Sequence, residues 1–149
     1  MTATPLVTIV LATYNQQDYV KNALDSILAQ TYQNLEIIVC DNGSTDKTKE
    51  IIRSVVSKFQ KIVFLDFKNN KNITIRHNHY INLANGEFVS ILFGDDYYLP
   101  NKIEKQVAAF LNLDESWGVV YGPTLIEHMA NNKLVQDDGL QKSGYVLEA

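Results

Sequence analysis

The chain has little from which to build a basic surface, a disulfide framework or a membrane span. Lysine and arginine number 13 against 17 aspartates and glutamates, a net charge of −4. That balance leaves no positive field for non-specific nucleic-acid binding. The single cysteine, Cys40, lies in an apolar run and cannot close an internal disulfide. A buried structural thiol in a reducing compartment is expected. No apolar run approaches the roughly 20 residues that cross a bilayer. Met1 to Pro5 lacks the charged and apolar regions of a signal peptide. Neither a Walker A loop nor a dinucleotide-binding glycine pattern is present. One cysteine and three histidines do not assemble a convincing nucleophile triad.

What is present fits one globular domain. Of the 149 residues, 46% are apolar and 20% charged, enough for an ordinary soluble core. Leu6–Ala12 is a continuous, β-branched run, as in a strand buried on both faces of a parallel sheet; Leu35–Cys40 reads as a second buried strand, and Ile62–Phe67 and Phe88–Phe93 as a third and a fourth strand. Between them, apolar residues recur at helical spacing over Asp18–Gln30, Asp46–Phe59 and, more weakly, Thr74–Leu83. Gly86 suits a helix stop after the third. Pro100 suits the first turn of a fourth helix carrying Ile103, Val107, Phe110 and Leu111. Further strands are expected over Val119–Tyr121 and Thr124–Met129, the latter pairing with Lys133–Val135. The alternation predicts an α/β fold of three layers, a mostly parallel central sheet with helices on both faces.

Three polar clusters follow three of these runs: Thr13-Tyr14-Asn15, Asp41-Asn42-Gly43-Ser44 and Gly94-Asp95-Asp96. In a parallel sheet they meet on one rim, outside the carboxyl ends of the strands, where open α/β folds bind ligands. Tyr14 can stack on a base, and Thr13 or Asn15 can bond its edge. Asp41 can accept from a base imide or a ribose hydroxyl. The alternative for both clusters is turn and helix capping. Asp95 and Asp96 are adjacent carboxylates that disfavour each other's charge, and a divalent cation would relieve this. Oxygen ligands suit magnesium or manganese. The alternative is an exposed pair ahead of the next helix. Among Arg76, His77, Asn78 and His79, one could touch a phosphate. His77 and His79 do not share a helix face, which argues against a zinc pair.

Together these motifs resemble the inverting family-two glycosyltransferases of the GT-A fold. Four segments carry the resemblance: VTIVLATYN (7–15), AQTYQNLEIIVCDNGSTD (29–46), ANGEFV (84–89) leading into Asp95-Asp96, and LPNKIEKQV (99–107). The resemblance implies transfer of a sugar from a nucleotide diphosphate donor, usually a UDP-sugar, to a saccharide or lipid-linked acceptor. It implies nucleotide binding by Thr13, Tyr14, Asn15, Asp41, Asn42, Asn78 and Asp95. It implies Mn2+ or Mg2+ on Asp95 and Asp96. It also implies a cytoplasmic protein, with any peripheral membrane association supplied by regions outside this chain.

Three positions depart from the family pattern. Asn42 stands where a second acid is common, Phe93 where the first Asp of the metal motif is common, and His77 where an Arg is common. No residue matches the catalytic base, and Glu127, Asp137 and Asp138 sit in no matching motif. Residues 1–149 are therefore expected to form an incomplete GT-A domain whose donor-binding portion covers about 5–122. A catalytically silent nucleotide-binding or interaction module on the same fold is the alternative. The sugar, the acceptor and the oligomeric state are not legible.

Overall fold

The computed structural model describes residues 4–59, 61–114, 117–122, 125–128 and 133–136. The chain divides into two compact units, Met1–Ile103 and Glu104–Ala149. The first is built from β1 (Val7–Thr13), α1 (Val20–Leu28), β2 (Leu35–Asp41), α2 (Thr48–Val56), β3 (Ile62–Asp66), α3 (Ile73–Leu83) and β4 (Phe88–Phe93). All four strands are parallel, in the order β3-β2-β1-β4. This is the expected α/β sheet. Helix α4 (Lys102–Phe110) leads from the first unit into the second.

The strand order fixes the layers. The chain moves from β1 to β2 to β3 in one direction, so right-handed crossovers place α1 and α2 on the same face. It then crosses back to β4, which puts α3 on the opposite face. Side-chain alternation agrees. Val10, Ala12, Ile38 and Cys40 form one buried cluster with Tyr80 of α3. Ile9, Leu11 and Val39 are buried on the other side of the same strands. Val20, Ala23, Leu24 and Ile27 of α1, with Ile52 and Val55 of α2, are the buried positions of those two helices. The reversal between β1 and β4 is a topological switch point, the place where open α/β sheets bind ligands at the strands' carboxyl ends.

Several boundaries differ from the sequence expectation. α1 starts at Val20 because residues 16–19 form a turn, with the Val20 N–H donating to the Gln16 carbonyl at 2.9 Å. Pro100 precedes α4 by two residues instead of entering it. Val119–Tyr121 forms no strand; the Val120 carbonyl accepts from the Gln106 side chain at 3.1 Å instead of a ladder partner. Val119 and Tyr121 are also exposed, so the apolar triplet marks neither a ladder nor a core. In the second unit, β5 (Leu125–His128) pairs antiparallel with β6 (Lys133–Gln136), as expected. The turn joining them and the acids Asp137 and Asp138 lie outside the described residues.

Gly86 does not stop α3, which is capped at Ala84. It permits a close approach: a Cβ there would lie 2.5 Å from the Thr8 backbone nitrogen. The Gly86 N–H donates to the buried Thr8 hydroxyl at 2.9 Å, and that hydroxyl donates to Glu36 at 2.5 Å. Asn85 adds backbone and side-chain bonds to the same carboxylate. Burial pushes the Glu36 carboxyl up, but the bonds from Thr8 and Asn85 outweigh it and hold it below its ordinary 4.5. A carboxyl depressed in the folded state releases its proton more readily there than in the unfolded chain. Its contribution is present at neutral pH and is lost as pH falls below the ordinary carboxylate range. Urea midpoints measured from pH 7 down to 3 should therefore fall with acidity, and Glu36→Gln should flatten that fall. An unchanged slope in the variant would remove Glu36 from the linkage.

Candidate nucleotide-binding site

The three polar clusters do meet on one rim. β1 lies between β2 and β4, with Thr13 in register with Asp41 and Ala12 with Phe93. Backbone bonds carry the contact past the strand ends: Asn42 N–H to Thr13 at 2.8 Å and Gly94 N–H to Ala12 at 3.0 Å. Gly94 also sits under the β1–α1 loop, since a Cβ there would meet Gln16 Oε1 at 2.5 Å and the Thr13 methyl at 2.7 Å.

Within this rim the predicted residues have different surroundings. The Asp41 side chain is fully buried, at 0% exposure. Its Oδ1 accepts from the Gly43 and Ser44 N–H groups at 3.0 and 2.8 Å. Its Oδ2 accepts from the Ser44 hydroxyl at 2.5 Å and the Thr13 hydroxyl at 3.3 Å. Lys49 of α2 lies 3.6 Å from Asp41 and 2.8 Å from Asp66. The bond to Asp66, with the charges of Asp66 and Asp41, holds the Lys49 ammonium above its usual range. Asp41 is therefore engaged within the protein, as capping chemistry would have it.

Asn42 is engaged as fully. Its amide donates to Asn70 Oδ1 at 2.7 Å and the Lys71 carbonyl at 2.9 Å. Its oxygen accepts from the Lys71 N–H at 3.2 Å and Arg76 Nε at 2.8 Å. Two donors and two lone pairs are all the side chain has. Asn15 takes a positive φ of 51° and its oxygen accepts from the Thr45 N–H at 2.8 Å. Its own N–H donates to the Ser44 hydroxyl at 2.8 Å. Asn15 thus ties the β1–α1 loop to the β2–α2 turn instead of capping α1. Asp46 extends the seam, accepting from Gln17 and Thr48 N–H groups. Burial raises the Asp46 carboxyl, but these bonds outweigh it and hold it below the ordinary 3.8.

Other groups remain open. Tyr14 is 42% exposed, so its ring is free to stack. Asp95 and Asp96 are exposed at the end of β4, and their carboxylates make no hydrogen bond or ion pair among the described residues. Burial first, then the Asp95 charge, raises the Asp96 carboxyl. A cation would reverse that shift. No group of three or more His, Cys, Asp or Glu among the described residues is placed to hold a metal alone. Two carboxylates still fit Mg2+ or Mn2+, which complete their shells with water and substrate phosphates. Asn78 is exposed on α3 and joins none of the rim contacts. His77 packs its ring 5.7 Å from Phe93 and 6.1 Å from Tyr80.

Sequence reasoning missed two supports. The β3–α3 loop presses onto the β2–α2 turn, where a Cβ on Gly43 would lie 2.7 Å from the Asn69 and Asn70 backbone. Its Asn-rich composition marked a loop but gave no partner. Gln30, also buried, donates to the Leu99 carbonyl at 2.8 Å and accepts from the Ile103 N–H at 3.1 Å. Together with the Tyr98 N–H bond to Ser26 at 3.0 Å, this anchors the segment after Asp96 to the end of α1.

Fold and rim together define a doubly wound α/β domain with its switch point between β1 and β4. The model of glycosyl transferase family 2 matches residues 8–131, and the chain belongs to that family. An uncharacterized glycosyltransferase of Rickettsia typhi is 41% identical over 132 residues, covering 88% of this chain and 40% of that protein. An uncharacterized glycosyltransferase of Methanocaldococcus jannaschii is 38% identical over 104 residues, covering 68% of this chain and 36% of that one. The chain thus spans about 40% of the length of these relatives. Among solved structures, a Pyrobaculum calidifontis mannosyltransferase in complex with GDP-Man and Mn2+ superposes with a TM-score of 0.68. It shares 26% identity and covers 78% of this chain and 35% of its own. S. aureus TarS in complex with UDP gives a TM-score of 0.64 at 26% identity, over 72% of this chain and 32% of its own. The GT-A fold follows. No described helix is long and apolar enough to cross a membrane.

Proposed function

We propose that residues 1–149 are the donor-binding portion of an inverting glycosyltransferase that uses a nucleotide diphosphate sugar, a UDP-sugar first. The acceptor is a saccharide or lipid-linked hydroxyl. The observation that carries this reading is the division of labour on the rim. Asn15, Asp41 and Asn42 stiffen the loops, leaving Tyr14 open on one side of the crevice and Asp95 and Asp96 on the other. Tyr14 stacks on the base; Thr13 and Asn15 set the loop that presents it. Asp41 and Asn42 brace the loops that would hold the base, and Asn78, exposed on α3, is assigned to the nucleotide on the family resemblance alone. Asp95 and Asp96 hold Mn2+ or Mg2+. When bound, that ion stabilises negative charge on the departing diphosphate. The neighbours that hold GDP-Man with Mn2+, or UDP, support this assignment by analogy.

The test is thermal shift with UDP, GDP and ADP, each with and without Mn2+. A selective ligand raises apparent stability by mass action. UDP with Mn2+ should stabilise the protein most, and Asp95→Ala should erase the metal-dependent part. Equal response to all three nucleotides would remove the UDP preference. An unchanged shift in the variant would remove Asp95 from the metal site.

A further inference from the structure

Strand β4 ends the order β3-β2-β1-β4, so β1 is its only strand neighbour among the described residues. The outward carbonyls of such a strand lack ladder partners. One of them is met by a side chain. The Tyr98 hydroxyl, seven residues on, donates to the Ile91 carbonyl at 2.9 Å. It also lies 2.8 Å from the Ser90 hydroxyl. Tyr98 is buried, and the Lys102 ammonium sits 4.0 Å over the centre of its ring. The Tyr98 N–H donates to the Ser26 hydroxyl of α1 at 3.0 Å.

Tyr98 thus ties β4 to α1, and its bond to Ile91 closes the backbone between them into a loop. Asp95 and Asp96 stand on that loop. Within it, the Gly94 N–H reaches the Ala12 carbonyl and the Asp96 N–H reaches the Phe93 carbonyl, both at 3.0 Å. The two carboxylates do nothing to hold the loop, since they bond no group among the described residues. Their placement is inherited from the backbone. A metal site is sensitive to such inheritance: groups that only orient the ligands still change metal affinity, and a small cation with strict octahedral geometry tolerates little displacement.

We propose that Tyr98 is a positioning residue for the metal site: its hydroxyl, by holding the Ile91 carbonyl, sets the course of the loop and with it the stance of the Asp95 and Asp96 carboxylates. The proposal deepens the donor-binding reading and rests on it. Ser90 supplies an internal contrast. Its hydroxyl touches the same phenol, but its removal leaves the bond to Ile91 in place.

Mn2+ binding in the presence of UDP, read from loss of the free-ion electron paramagnetic resonance signal, tests it on wild type, Tyr98→Phe and Ser90→Ala. Phenylalanine keeps the ring beneath Lys102 and removes only the hydroxyl. Mn2+ affinity should fall about tenfold in Tyr98→Phe and hold in Ser90→Ala. Uridine affinity, read by calorimetry, should hold in both, because uridine carries no diphosphate for the metal to bridge. Equal Mn2+ losses in the two variants would make Tyr98 a general support of β4 and overturn the proposal. So would an unchanged Mn2+ affinity in Tyr98→Phe, or a matching fall in its uridine affinity. If Tyr98→Phe does not fold, Ser26→Ala frees the other end of the tether and must show the Mn2+ loss in its place. Wild type that binds UDP but no Mn2+ sinks the metal reading and this proposal with it. Wild-type Mn2+ binding that Tyr98→Phe leaves intact sinks this proposal alone.

Discussion

Asp41→Ala should cost about 3 to 5 kcal/mol of stability, far more than loss of one turn residue. The carboxylate is fully buried and accepts from two backbone N–H groups and two hydroxyls. Alanine leaves the Gly43 and Ser44 N–H groups without an acceptor inside the protein. It also leaves Lys49 with Asp66 alone. Asp41→Asn keeps one acceptor but points an amide at groups that are themselves donors, so it should lose an intermediate amount. Urea unfolding of the three proteins at pH 7 reads the effect. A loss below about 1 kcal/mol for the alanine variant would mean that the carboxylate is not what holds this turn. The result also bears on function. If Asp41 mainly holds the turn, nucleotide affinity and stability should fall together in both variants. A base-reading role would lower affinity in Asp41→Asn with stability largely kept.

Gly43→Ala should cost about 2 to 5 kcal/mol, combining the left-handed backbone with overpacking. Gly43 has a φ of 88°, where a side chain is strained in any surroundings. The added methyl would also lie 2.7 Å from the backbone of Asn69 and Asn70, and backbone has no rotamer with which to yield. The β3–α3 loop would have to lift, taking the Asn69 carbonyl away from Arg76. The melting temperature and the UDP shift should therefore both drop. A variant with wild-type melting would show that the loop can move at no cost. Gly94→Ala makes a useful contrast. Its nearest clash is the flexible end of Gln16, so stability should suffer less than in Gly43→Ala.

Much of the frame was legible from the chain. Unbroken runs such as VTIVLAT and LEIIVC require burial on both faces, and the intervening helical periods dictate crossovers. Asp46 was readable near a helix start because N-terminal N–H groups need oxygens, and it accepts from the N–H of Thr48, where α2 begins. Gly86 was misread because glycine marks both helix ends and close approaches, and only the path of β1 distinguishes them. Val119–Tyr121 was misread because apolar content does not reveal a strand's partner. At the site, the residue types were visible but their engagement was not. Asp41 and Asp95 look alike in sequence, each an acid at a strand end.

The alternation of apolar periods and the polar residues at the strand ends were written in the sequence, because both follow from local backbone and burial requirements. Which of those polar groups are spent on the protein itself was decided only by the tertiary structure. Asn15 meets Thr45, Asn42 meets Arg76 and Thr13 meets Asp41 across about 30 residues of chain. Hydrogen-bonding capacity is finite, so those long-range contacts consume some side chains and leave Tyr14, Asp95 and Asp96 open.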